Sequence, residues 1–230
     1  MAVLVVALDL ATAREALALV DRLGDAAAWY KIGPRLHVAD GPGVVRELLG
    51  RGKRVFLDLK WHDIPNTVAG AVEAAAAQGV SLATVHLAGG QRMLAAAAAA
   101  RQGGLRLVGV GVLTSLGAAE FGAVIGRVAP LPDLLVEQQR LVRLGLEAGL
   151  DGYVAAAAEA RAIRALAGPD ALLVVPGIRR AGDTGGDQVR TATPGEAVQA
   201  GADLLVVGRP ITGARDPRRE ALAVVAEARA

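Results

Sequence analysis

Hydrophobic positions along the chain fall into short continuous runs that are separated by longer amphipathic stretches. The runs are rich in Val, Leu and Ile and do not alternate with polar residues, which is typical of strands buried on both faces of a parallel sheet. They predict strands at residues 3–8, 28–32, 54–59, 82–87, 105–113, 152–155, 172–175 and 204–207. The intervening stretches predict helices at residues 12–23, 44–51, 65–78, 91–102, 134–148, 156–167, 194–200 and 218–228.

Eight strand–helix units in 230 residues are the number expected for a (β/α)8 TIM barrel, an α/β fold. An open doubly wound sheet is the alternative, but it usually has fewer strands, and no Gly-x-Gly-x-x-Gly follows the first strand here. Because the composition shows no linker-like change, we predict one barrel domain over residues 1–230. The long connection at residues 115–132 predicts an additional short element after the fifth strand.

Composition and charge exclude several classes of protein. An apolar content of 53% and a net charge of +2 exclude an intrinsically disordered chain. No run of like charges indicates a nucleic-acid or membrane partner, no apolar run is long enough to span a bilayer, and no signal-peptide pattern is visible. The chain has no cysteine and its three histidines lack ligand spacing, so no metal site is predicted. We therefore expect a cytoplasmic protein.

Charged residues follow the first three predicted strands. Asp9 ends the first strand, Lys31 the second, and Asp58 and Lys60 the third. The carboxyl ends of barrel strands meet at one mouth, where active sites are built. Alternating lysines and aspartates would neutralise one another there, whereas an isolated buried charge would be costly. A structural salt-bridge network is the alternative, but four such charges on consecutive strands favour a functional site.

The connection after the third strand is also polar. Asp63 lies three residues beyond Lys60, and Thr67 follows shortly after it. Taken alone, Asp63 fits an N-cap for the helix beginning at Pro65, and Thr67 fits an exposed first-turn residue. His86, at the end of the fourth strand, is expected to be a hydrogen-bonded structural residue.

The seventh and eighth strands lead into segments suited to an anion. Pro176 and Arg179 follow the seventh strand, and Gly208 and Arg209 follow the eighth. These are the usual phosphate-binding loops of this fold, and arginine offers a planar fork of donors. The glycine-containing loop at residues 180–193 is predicted either to close over a ligand or to be a flexible surface loop.

Residues 56–68 read Phe-Leu-Asp-Leu-Lys-Trp-His-Asp-Ile-Pro-Asn-Thr-Val, which resembles the signature of the orotidine 5′-phosphate decarboxylase family. Related sugar-phosphate barrels also carry Asp-x-Lys-x-x-Asp, but the Ile-Pro-Asn-Thr extension makes the resemblance specific. Trp61 stands where the family usually has Phe, an apolar exchange. Further similar segments occur in the family's order at residues 7–9, 31–33, 86–90, 112–115, 176–179, 187–188, 193–194 and 207–211.

The resemblance implies decarboxylation of orotidine 5′-monophosphate to uridine 5′-monophosphate in de novo pyrimidine synthesis, without metal or organic cofactor. It also implies a homodimer with shared active sites, in which Asp63 and Thr67 reach into the partner's site. Two other functions remain open: a Mg²⁺-dependent sugar-phosphate decarboxylase or aldolase of the same barrel class, and a non-catalytic phosphate-binding barrel. Lys31 argues against the first, because an ammonium repels a cation.

The resemblance also implies roles for individual residues. Lys60 would stabilise the carbanion and donate the proton, while Asp58 would crowd the substrate carboxylate. Asp58 and Asp63 would keep Lys60 charged and oriented, and Lys31, counted with them as catalytic, would hold ribose hydroxyls together with Asp9. The other substrate-binding residues that the resemblance implies are Ile64, Thr67, Thr114, Pro176, Arg179, Gln188, Gly208 and Arg209.

Overall fold

Eight parallel strands form a closed barrel in the computed structural model, which describes residues 2–180 and 190–229. Each strand pairs with the next in chain order, and the eighth pairs with the first. The predicted (β/α)8 fold is therefore confirmed. The strands are β1 (Val3–Ala7), β2 (Trp29–Ile32), β3 (Arg54–Trp61), β4 (Leu82–His86), β5 (Arg106–Val110), β6 (Gly152–Val154), β7 (Leu172–Val175) and β8 (Leu204–Val207).

Helices connect the strands on the outside of the barrel. Thr12 and Glu15 show why the first begins where it does, since each side chain accepts a hydrogen bond from the other's backbone N–H in a capping box. The helices are α1 (Ala13–Leu23), α2 (Pro34–Asp40), α3 (Pro42–Gly50), α4 (Pro65–Ala77), α5 (Gly90–Ala99), α6 (Ala118–Val124), α7 (Leu134–Glu147), α8 (Ala157–Ala167), α9 (Pro194–Gln199), α10 (Arg209–Thr212) and α11 (Pro217–Glu227).

Four differences from the predicted elements concern the barrel mouth. Helix α6 is the additional short element expected after the fifth strand, whereas α2 and α10 were not predicted. Both are too short to show a helical period in the sequence. Strand β5 ends at Val110, three residues before the predicted end, and β3 continues to Trp61. Among the described residues, no helix is long and apolar enough to cross a membrane.

Side chains alternate between two hydrophobic clusters. The smaller one, the inner cluster, includes Val5, Ala7, Trp29, Phe56, Val174 and Val206, each from a strand. The larger, outer cluster joins the opposite faces of the strands to the helices. Side chains on one face of a strand recur every second residue. Asp9, Lys31 and Asp58 each lie two residues after a member of the inner cluster, so they are on the same inward face, nearer the carboxyl end of the strand. The fold thus carries the charges predicted from sequence to the open end of the barrel interior.

Candidate active site

A cavity of about 530 Å³ lies at the carboxyl ends of the strands. Its inner wall is the apolar top of the barrel interior, including Ala7, Phe56 and Val174. Residues from both ends of the chain thus meet at one site, as was predicted from the sequence for a barrel mouth. The predicted site residues that line the cavity are Asp9, Lys31, Asp58, Lys60, Thr114, Pro176, Arg179, Gly208 and Arg209.

The four charged residues of β1–β3 form one connected Lys–Asp array, comprising Asp9, Lys31, Asp58 and Lys60. Lys31 Nζ lies 3.0 Å from Asp9 Oδ1 and 3.5 Å from Asp58 Oδ2. Lys60 Nζ donates to Asp58 Oδ1 at 2.8 Å. The charges alternate in sign along the array and sum to zero, so each buried charge has an opposite neighbour.

The two lysines of the array differ in the exposed fraction of their side chains. Only 11% of the Lys31 side chain and 15% of the Asp58 side chain are exposed, against 36% for Lys60. Lys31 is therefore fixed between two carboxylates, whereas Lys60 presents more of its ammonium to the cavity. Lys60 is the cation of the array that is best placed to meet a bound molecule.

Asp58 carries its charge despite its burial. Burial alone would raise the pKa of this carboxyl, but the positive charges of Lys31 and Lys60 and hydrogen bonds from Lys60 and Thr84 lower it further than burial raises it. The net effect is a pKa below the usual aspartate value, so Asp58 is an anion at neutral pH.

A bulge in β3 places Asp58 and Lys60 in the cavity. The ladder between β3 and β4 pairs Leu57 with Ala83 and then Trp61 with Val85, so three residues of β3 face a single residue of β4. Lys60 occupies the left-handed backbone region with φ of 50°, and among the described residues it is the one non-glycine that does so. A non-glycine residue in this region costs roughly 1–3 kcal/mol, and such strain persists where the surroundings enforce it.

Gly33 allows Lys31 and Asp9 to come together. A Cβ atom at this position would lie 2.8 Å from Asp9 Oδ1 and 3.2 Å from Lys31 Nζ. A side chain here would therefore displace one or both charged groups.

Two arginines stand on the other side of the cavity, at the ends of β7 and β8. Gly177 turns the chain after β7 with φ of 76°, a backbone region open to glycine, and Arg179 follows. The Arg179 backbone N–H donates to Ala192 O at 2.9 Å, which ties this turn to the chain entering α9. Arg209 follows Gly208 at the end of β8 and is exposed. This side of the cavity is cationic, whereas the Lys–Asp array is neutral overall.

Four of the predicted residues do not join this group. Asp63, Ile64 and Thr67 are exposed and do not line the cavity of their own chain. The N-cap of α4 is Ile64, so the alternative reading of Asp63 as that cap is wrong. Asp63 instead accepts a hydrogen bond from the Ile64 backbone N–H at 2.6 Å. Gln188 lies outside the described residues, as does most of the loop predicted at residues 180–193.

His86 has the hydrogen-bonded structural position that was expected. Its Nδ1 accepts a hydrogen bond from the Ala88 backbone N–H at 3.2 Å, and its ring stacks on His62 with centroids 5.2 Å apart. Burial, together with the nearby His62 and Lys60, lowers the pKa of His86. The imidazole is therefore held in its neutral form.

Sequence reasoning missed two buried polar residues that hydrogen-bond to residues lining the cavity. Thr84, fully buried in β4, bonds to both Asp58 and Lys60. Gln138, fully buried in α7, accepts from the Val112 N–H at 2.7 Å and donates to Val154 O at 3.1 Å. A polar residue inside an apolar run was the signal available for Thr84. For Gln138 there was none, because α7 is amphipathic throughout.

Comparison with known proteins identifies the family of this chain. A sequence model of the orotidine 5′-phosphate decarboxylase / HUMPS family matches residues 2–224. The chain belongs to this family. The orotidine 5′-phosphate decarboxylase of Methylobacterium radiotolerans is 48% identical over 224 residues, which cover 97% of this chain and 95% of that protein. That of Anaeromyxobacter sp. strain K is 52% identical over 85% of each chain.

A solved structure from the same family has the same fold as this chain. The crystal structure of orotidine 5′-phosphate decarboxylase from Lactobacillus acidophilus superposes with a TM-score of 0.86 at 32% identity and covers 100% of both chains. The barrel of this orotidine 5′-phosphate decarboxylase / HUMPS family member is thus matched along its whole length. The family resemblance expected from residues 56–68 is confirmed.

Proposed function

We propose that this protein decarboxylates orotidine 5′-monophosphate to uridine 5′-monophosphate and CO2, the last step of de novo pyrimidine synthesis. The observation that carries the proposal is the Lys60 ammonium, 2.8 Å from the anionic Asp58 and directed into the same cavity as Arg179 and Arg209. Family membership and relatives named as this enzyme support it.

Lys60 supplies the chemistry of the proposed reaction. The bond between C6 of the pyrimidine and its carboxylate breaks, CO2 leaves, and the electron pair remains on C6. No adjacent carbonyl can take up this charge as a simple enolate, so its stabilisation is electrostatic, and the Lys60 ammonium is the cation that would supply it. Lys60 then transfers a proton to C6, and solvent restores the proton on Nζ.

Asp58 has two effects in this scheme. Its 2.8 Å hydrogen bond from Nζ would orient Lys60, and its own carboxylate would crowd the substrate carboxylate. Loss of CO2 removes one of these two like charges. Lys31 and Asp9, joined at 3.0 Å, present an ammonium and an exposed carboxylate that suit ribose hydroxyl groups.

The phosphate belongs on the opposite side of the cavity in this proposal. Arg179 and Arg209 supply guanidinium donors for a dianion, and Pro176 and the backbone of Gly208 line the same region. Gln188 is proposed as a further phosphate ligand. Thr114, at the cavity edge, is proposed to contact the pyrimidine. Remote phosphate binding would then lower the barrier at C6.

The proposal includes a homodimer with shared sites in the cytoplasm. Asp63, Ile64 and Thr67 are exposed beside the mouth of their own barrel, where they are available to a second subunit. Asp63 would approach the partner's Lys–Asp array and assist Lys60 there, while Ile64 and Thr67 would contact the partner's substrate. The cytoplasmic location fits a chain without cysteines.

A Mg²⁺-dependent sugar-phosphate enzyme of the same barrel class fits the array less well. Such a site needs carboxylates free to bind a cation, but Lys31 Nζ already lies 3.0 Å and 3.5 Å from the Asp9 and Asp58 oxygens. A divalent ion between them would meet an ammonium group.

The decisive experiment follows the loss of orotidine 5′-monophosphate absorbance with purified protein, with and without a chelator. Conversion to uridine 5′-monophosphate at an unchanged rate in the chelator is expected. Absence of turnover would refute the proposed reaction, and turnover abolished by the chelator and restored by Mg²⁺ would favour the metal-dependent alternative.

A further inference from the structure

Thr84 is the one residue of β4 that faces the bulged segment of β3. Its side chain is fully buried and belongs to the inward row of β4 that begins at Leu82. On its other side, Thr84 pairs in register with Val108 of β5. A hydroxyl in this apolar interior must find partners within the barrel, because burying it without hydrogen bonds is costly.

The Thr84 hydroxyl satisfies two groups of the bulge at once. Its Oγ1 accepts a hydrogen bond from the Lys60 backbone N–H at 2.8 Å. The same hydroxyl donates to Asp58 Oδ1 at 3.2 Å, which is the oxygen that also accepts from Lys60 Nζ at 2.8 Å. One side chain therefore holds both the strained backbone of Lys60 and the carboxylate that orients its ammonium.

We propose that Thr84 is a positioning residue for the reaction, and this inference depends on the proposed function. Its hydroxyl stabilises the left-handed backbone at Lys60 and fixes Asp58 Oδ1, so that the two charged groups enter the cavity in one defined geometry. Without the hydroxyl, the Lys60 N–H loses its partner and the bulge can relax. The Lys60 ammonium then moves relative to the substrate carbon, although every group that touches the substrate is still present.

Thr84→Val tests this, because it keeps the shape of the side chain and removes the hydroxyl. A displacement of the order of 1 Å at a reacting group can cost about 100-fold in rate. We expect kcat on orotidine 5′-monophosphate to fall by about 10- to 100-fold while KM changes little, and Thr84→Ser to restore most of kcat. If Thr84→Val does not fold, Thr84→Cys, with a weakly hydrogen-bonding thiol, takes its place.

Val108→Ala is the matched control. It removes apolar volume next to Thr84 inside the barrel and leaves both hydrogen bonds intact. It is expected to lower the unfolding temperature with kcat unchanged. An equal loss of kcat in this control and in Thr84→Val, or failure of Thr84→Ser to restore kcat, would overturn the inference in favour of packing alone.

A second readout does not depend on catalysis. The carboxyl ¹³C resonance of Asp58, assigned with Asp58→Asn, can be titrated in each variant. The groups facing Asp58 are Lys31 from β2, Lys60 from β3 and Thr84 from β4. Removing the Thr84 donor should move the Asp58 midpoint to higher pH in Thr84→Val but not in Thr84→Ser. An unchanged midpoint would show that Thr84 does not hold Asp58. If the wild type proves inactive, the proposed function fails, and this titration decides the role of Thr84 by itself.

Discussion

Replacing Lys60 with alanine removes the proposed proton donor and half of the positive charge of the Lys–Asp array. Loss of a general acid costs about 10²–10⁴-fold in rate. Loss of electrostatic stabilisation of the carbanion costs about 10²–10³-fold more. If the two effects multiply, kcat/KM falls by roughly 10⁴–10⁷-fold. Lys31 cannot substitute, because its Nζ lies between Asp9 and Asp58 with only 11% of the side chain exposed.

The same variant should remain folded. Asp58 would keep Lys31 at 3.5 Å and the hydrogen bond from Thr84, so no buried charge is left unpaired. Alanine at φ of 50° is no more strained than the lysine it replaces. Lys31 alone lowers the Asp58 pKa less than the two lysines together, so we expect that pKa to rise in the variant.

The assay is the decrease in orotidine 5′-monophosphate absorbance, with circular dichroism as the test of folding. Lys53→Ala is the matched lysine control, because Lys53 Nζ donates to the carbonyls of Gly24 and Ala27, away from the cavity. The control should lose some stability and keep its activity. Folded Lys60→Ala that turns over within about tenfold of the wild type would refute the role of Lys60.

Arg209→Ala should lower kcat/KM for the nucleotide by roughly ten- to several-hundred-fold, because each charged hydrogen bond to phosphate contributes about 1.5–3 kcal/mol. The slow turnover of the nucleoside orotidine should barely change, and equal losses on both substrates would contradict the phosphate assignment. Mixing Lys60→Ala with Asp63→Ala subunits should restore about a quarter of the wild-type activity, since half the chains form heterodimers with one intact site each; no recovery after verified subunit exchange would exclude shared sites. Because the folded pKa of His86 lies below its unfolded value, the unfolded chain binds more protons, and unfolding free energy should fall from pH 7 to pH 5. His86→Asn, which keeps an acceptor for the Ala88 N–H, should flatten that slope, and an unchanged slope would assign the pH dependence to other groups.

The charged residues of the site were predictable because they continue apolar strands. Asp9, Lys31 and Asp58 follow runs whose periodicity fixes both the strand and the end at which each charge appears. Arg179 and Arg209 were placed by the same reasoning at β7 and β8. The local sequence shows that each of these residues lies at the carboxyl end of a strand. In a parallel barrel all such ends lie at the same mouth, so no information on distant contacts was needed.

The bulge and its support were not predictable, because they depend on contacts between distant residues. The left-handed backbone at Lys60 depends on a hydrogen bond to Thr84, which is 24 residues away. Strand β5 ends at Val110 although apolar residues continue to Leu113. The Val112 N–H bonds to a glutamine of α7 instead of continuing a ladder, and nothing in the local pattern signals that partner.

The bulge of β3 allows the length of the catalytic segment to change in evolution without a change in the rest of the barrel. Three residues of β3 span the space of one residue of β4, which amounts to an insertion of two. An even insertion preserves the alternation of side chains, and Leu57, Leu59 and Trp61 all pack against the outer cluster. The ladders on either side are therefore unaffected by the inserted pair. A contiguous two-residue deletion here would remove the bulge together with either Asp58 or Lys60, without a change of register in any other strand.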